Sequence, residues 1–61
     1  MKIRMLKNNT VQCYASGNWR KIGRFDWERG QLVIPCKNRT SADVYRLNWT
    51  HSLDGYRYSE L

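Results

Sequence analysis

The chain has one proline, one histidine, two cysteines and five carboxylates in 61 residues. Each shortage excludes something. No apolar run approaches the roughly 20 residues of a membrane-spanning helix, so a membrane protein is not expected. Lys2, Arg4 and Lys7 interrupt the start of the chain, which therefore lacks the apolar core of a secretory signal. That favours a cytoplasmic protein, and it makes Asn8-Asn9-Thr10, Asn38-Arg39-Thr40 and Asn48-Trp49-Thr50 chance matches to the glycosylation pattern. Cys13 and Cys36 are too few and too far apart for a zinc site, and in a reducing compartment they read as buried free thiols.

Catalysis finds little material. The sole histidine, His51, falls between Trp49 and Leu53 on a predicted inward face. No spacing brings it a carboxylate to orient it or a nucleophile to activate. Gly17, Gly23, Gly30 and Gly55 stand singly, so there is no glycine-rich phosphate loop. The reading is a non-enzyme with no catalytic residue, no metal site and no cofactor.

Positive charge is plentiful and unevenly placed. Residues 1–39 carry nine of the eleven basic side chains against Asp26 and Glu28 alone. Residues 40–61 carry Arg46 and Arg57 against Asp43, Asp54 and Glu60. Such a distribution predicts a sided molecule with one cationic surface, which suits a polyanion.

The length allows one domain, 1–61, near the lower limit of autonomous folding. Three Trp, four Tyr and one Phe supply large rings to fill a small core. Met1 and Leu61 read as the ends of a complete small frame, a size common among phage and prophage proteins.

Turn signals recur every eight to twelve residues, the rhythm of a small all-β domain. Ile3 and Met5 alternate with Lys2 and Arg4, and Val11, Cys13 and Ala15 alternate with Gln12 and Tyr14. A three-residue loop, Lys7-Asn8-Asn9, pairs Met5 with Val11 and Ile3 with Cys13 and so separates the faces, with Asn9 in the left-handed region. Ser16-Gly17-Asn18 is the next turn. In the segment Trp19–Trp27, residues Trp19, Lys21, Gly23, Phe25 and Trp27 fall on the oily face and Arg20, Ile22, Arg24 and Asp26 on the wet one, with Gly23 a candidate bulge or bend. An even-length loop around Arg29-Gly30 places Phe25 and Trp27 beside Leu32, Ile34 and Cys36. Pro35 marks an edge strand or a strand end. After a loop at Asn38–Ser41, Tyr45, Leu47, Trp49, His51 and Leu53 alternate with polar residues. Asp54-Gly55 then forms a two-residue turn that pairs Leu53 with Tyr56 and His51 with Tyr58. Arg57 and Ser59 fall on the polar face.

The expected fold is all-β: five or six antiparallel strands curled into a small barrel or rolled sheet, SH3-like or OB-like. The alternative is a curved sheet with one short helix near residues 41–49, capped by Ser41. At the level of class only, the size, charge and strand pattern resemble small basic β-proteins that coat DNA or bind RNA.

The cationic face then suggests nucleic acid, DNA or RNA, as partner. Lys2, Arg4, Arg20, Lys21, Arg24, Lys37 and Arg39 would meet phosphates, and Tyr14 would stack on a base. No element looks like a groove-reading helix, so sequence specificity should be weak. The three tryptophans read mainly as core, with Trp19 the most exposed. Trp19, Ile22 and Val33 would anchor the alternative partner, an acidic surface of a host protein that the chain regulates, or a second copy of the chain in a homodimer.

Overall fold

The computed structural model describes residues 1–36, 41–49 and 51–61, with residue 51 described through its backbone alone. The expectations for Lys37, Arg39, the loop from Asn38, and the inward side chain of His51 lie outside the described residues.

Seven strands form one antiparallel sheet: β1 (Lys2–Met5), β2 (Thr10–Ala15), β3 (Asn18–Asp26), β4 (Gln31–Pro35), β5 (Ala42–Arg46), β6 (His51–Leu53) and β7 (Tyr56–Glu60). Their order is β5-β4-β3-β2-β1-β7-β6, and the sheet is not closed. The first five strands follow one another as a meander. The last hairpin lies on the far side of β1.

This topology requires a curled sheet. Arg46 ends one edge strand and His51 begins the other. Five residues reach about 18 Å at full extension. A flat seven-stranded sheet with strands about 4.8 Å apart holds its outer strands about 29 Å apart. The sheet must roll until its edges approach, and the crossing segment then passes over the core. Leu47 and Trp49 in that segment pack on the core, and Ser59 Oγ donates a 2.8 Å hydrogen bond to the Asn48 carbonyl.

The strand count corrects the expectation of five or six. The alternating stretch Tyr45–Leu53 is not one strand. It is split between β5 and β6 at opposite edges. The alternative helix near residues 41–49 is also overturned. Ala42–Arg46 is a strand paired along its length with β4, and no helix occurs among the described residues.

The core is the inner face of the meander: Ile3, Met5, Val11, Cys13, Phe25 and Leu32, with Ala15, Ile22 and Ile34 packed around it. The first hairpin has the expected register, Ile3 opposite Cys13 and Met5 opposite Val11. Its loop is closed by Leu6 N–H to the Thr10 carbonyl at 2.8 Å. Asn9 takes φ 68°, as its side chain permits. Ser16-Gly17 and Asp54-Gly55 are two-residue turns with both residues at positive φ, the type I′ geometry that matches strand twist. A four-residue loop joins Asp26 to Gln31 and sets Phe25 opposite Leu32. Pro35 is the last residue of β4, beyond the final β3 pair, Arg24 with Val33. β4 itself is not an edge strand.

One irregularity reorganises the molecule. Val11 faces Gly23 but Gln12 faces Lys21, so Ile22 is an extra residue on β3. Such a bulge moves every later side chain to the other face. Here Gly23 also lets β4 close in. A Cβ on residue 23 would lie 2.2 Å from the Val33 carbonyl oxygen. The Gly23 bulge is therefore present, and it overturns the assignment of Trp19 and Lys21 to the oily face.

Candidate functional site

Directly opposed residues of a ladder share a face, so the registers define the outer surface. Across β7, β1, β2 and β3, one row runs Tyr58, Arg4, Gln12, Lys21. Lys2 and Glu60 form a pair beside it, and Tyr14 and Trp19 another. Thr10 and Arg24 continue the same face toward Val33 and Val44.

Arg4 is the centre of this surface. Its guanidinium carbon stands 4.3 Å from the Trp19 ring centroid and 4.6 Å from that of Tyr56. Its Nε donates to Gln12 Oε1 at 2.9 Å. Trp19 in turn meets Tyr14 edge-on at 5.3 Å and Tyr58 at 6.2 Å. Two rings thus flank one half-buried guanidinium, and two more pack against the Trp19 ring. A planar delocalised cation stacks on rings in a way an ammonium does not, and each such contact is worth about 0.5–2 kcal/mol. The sandwich holds the guanidinium in one orientation. No acceptor among the described residues takes its terminal N–H groups. Tyr14, 49 % exposed, presents the most open ring of the four.

Of the expected contact residues, Lys2, Arg4, Tyr14, Lys21 and Arg24 come together on this face. Arg20 does not. It lies opposite Cys13, in the row of Ile3, because the bulge exchanged it with Lys21. Lys37 and Arg39 lie outside the described residues. Ile22 and Val33, expected together as anchors of the alternative partner, do not share a face. Ile22 packs on the core, while Val33 lies between Arg24 and Val44 on the outer face.

Two ring residues of the site, Tyr56 and Tyr58, were expected inside. The turn pairing of their hairpin is as expected, with His51 opposite Tyr58 and Leu53 opposite Tyr56. The face is reversed. Met5 pairs with Arg57 and Ile3 with Ser59, so the tyrosines share the face of Arg4 and Leu53 is exposed. Trp27, not Trp19, is the most exposed tryptophan. One signal for this arrangement was present in the sequence. A two-residue Ser16-Gly17 turn pairs Tyr14 with Trp19, which puts Trp19 outside while Phe25 stays inside.

A groove of about 600 Å³ borders the face, where Lys2, Tyr58 and Glu60 approach Arg46, Leu47 and Leu53. Among the described residues no three His, Cys, Asp or Glu side chains gather where a metal ion would be held. No helix among the described residues is long and apolar enough to cross a membrane. No family model matches the chain, and no match to a curated protein or a solved structure was found.

Proposed function

We propose that the chain is a non-catalytic, cytoplasmic binding module that contacts nucleic acid through its outer sheet face. The observation that supports this reading is the Arg4 cluster. A guanidinium is held against Trp19 and Tyr56, the open ring of Tyr14 meets Trp19, and Lys2, Lys21 and Arg24 lie on the same face. Phosphates need several cations along one track, and unpaired bases need flat partners. Strands that present rings and charges, with no helix among the described residues to enter a groove, favour a single strand read with weak sequence preference.

The test is fluorescence anisotropy with random single-stranded DNA and RNA across a salt series. Four phosphate contacts by Lys2, Arg4, Lys21 and Arg24 give a log–log salt slope of about −3, at about −0.7 for each contact. The double variant K21A/R24A weakens binding at least about tenfold and flattens the slope by about 1.4. R20A, one residue along the strand but on the other face, changes affinity much less. No binding at about 50 mM salt, or equal effects of R20A and K21A, refutes the reading.

A second reading, a regulatory protein that docks on an acidic protein surface, draws on β5. All five residues of this edge strand are exposed, including Val44 and Tyr45. An edge of this kind accepts a further strand. A stoichiometric protein partner that survives nuclease treatment and is lost on Val44→Lys separates it from the first.

A further inference from the structure

Three loops meet at the end of the sheet where Asn9, Trp27 and Gly55 lie, and they enclose a hollow of about 510 Å³. Its polar lining comes from Lys7, Asn9, Trp27, Ser52 and Arg57. The hollow has a definite construction. Trp27 Nε1 donates to Asn9 Oδ1 at 2.9 Å, and Phe25 meets the same indole edge-on at 4.9 Å. The Phe25 N–H donates to the Asn9 carbonyl at 2.9 Å, which fixes the first loop to β3. Arg57, carried on the inner face of β7, turns out at the sheet end and stands 4.9 Å over the Trp27 ring. Lys7 Cε passes 3.9 Å from the position a Cβ would take on Gly55.

The chemistry of this lining is one-sided. With Oδ1 occupied, the Asn9 amide directs its Nδ2 donors elsewhere. Lys7 and Arg57 add two cations, and Ser52 a hydroxyl. No carboxylate lines the hollow, and Asp54 borders only the adjoining depression. Neither Lys7 nor Arg57 enters an ion pair among the described residues. A concave site rich in donors, with a guanidinium steadied on an indole, suits a tetrahedral oxyanion. We propose that Lys7, Asn9 and Arg57 form a binding site for a phosphate group, separate from the outer face. Two sources share that chemistry, a free phosphate compound and the terminal phosphate of a nucleic-acid strand.

The full chain is titrated with inorganic phosphate at ionic strength held constant with sodium chloride, while the Trp27 Nε1–H resonance is followed by NMR. Oligothymidylate with and without a 5′ phosphate is added in parallel. Phosphate is expected to shift the resonance saturably, and R57Q to raise the dissociation constant about tenfold or more. K7Q, on an exposed loop, raises it severalfold and keeps the test open if R57Q does not fold. A shift by inorganic phosphate with no gain from the 5′ phosphate identifies a free phosphate compound. A gain from the 5′ phosphate that K7Q removes identifies a strand end. No saturable shift with either probe, or a shift that K7Q and R57Q both leave unchanged, overturns the proposal. Strand binding that K21A/R24A leaves unchanged, with the phosphate shift retained, counts against the outer face alone, so the two failures are distinguishable.

Discussion

Replacing Gly23 by alanine tests the bulge on which the outer face depends. The residue does not adopt a positive φ, so the substitution carries no left-handed penalty and its cost is steric. The new methyl would lie 2.2 Å from the Val33 carbonyl oxygen, 3.0 Å from its carbon and 3.2 Å from Ile34 Cα. All three are backbone atoms, so no rotamer change relieves the contact. Relief needs β4 to withdraw by about 1 Å, at the expense of its pairing with β3. Overpacking usually costs about 1–3 kcal/mol where side chains can adjust, and here the expected loss is about 3 kcal/mol or more. A domain of this size holds about 3–5 kcal/mol in total, so G23A should retain about 2 kcal/mol or less at 25 °C. Urea unfolding followed by tryptophan fluorescence measures the loss. Gly17→Ala is the control. It meets nothing within 4 Å but sits at φ 79°, and it should cost about 1 kcal/mol from conformation alone. If G23A unfolds at the same urea concentration as G17A, the close approach of β4 does not depend on the glycine and the account of the bulge is wrong.

Other expectations follow from the packing. Arg4→Ala should destabilise the fold by about 1–2 kcal/mol through the lost ring contacts and the Gln12 hydrogen bond, and Arg4→Lys should recover less than half, both read by urea midpoint. Leu32→Ala, at a fully buried position, should cost about 2–5 kcal/mol by the same measurement. Both thiols are free, Cys13 buried and Cys36 partly exposed. A disulfide reagent should therefore label Cys36 in the native protein and reach Cys13 only on unfolding, and equal rates would contradict the burial.

The sequence was most legible where turns and alternation agree. The Lys7–Asn9 loop and the Asp54-Gly55 turn each permit one register that separates apolar from polar positions, and both registers occur. It was least legible where alternation must be given a sign. In β7 the pattern divides Tyr56 and Tyr58 from Arg57 and Ser59, but pairing with β1 decides which set faces the core. The tyrosines go outside because Arg4 and Trp19 offer them a packed, partly polar surface there. The bulge had its clue in two local facts that conflict: Tyr14 draws Trp19 outward, and Phe25 belongs inside. Only an extra residue between them reconciles the two, and Gly23 marks the place. The split of Tyr45–Leu53 into two edges left no local trace, since Leu47 and Trp49 keep the alternation while crossing the core.

The pairing of β1 with β7 bears on how the molecule assembles. Met1 and Leu61 exchange backbone hydrogen bonds at 2.8 Å, so the two ends of the chain run side by side. The meander from β1 to β5 is built from neighbouring segments with short closures. The β1–β7 ladder instead closes nearly the whole chain and carries the largest loop entropy in the fold. The rings around Arg4 come from both classes of contact, Trp19 by way of β2 and Tyr56 from the final hairpin. A chain truncated before Tyr56 would retain Arg4 and Trp19 but lose the second wall, which makes an ordered Arg4 a report that the entire chain has folded.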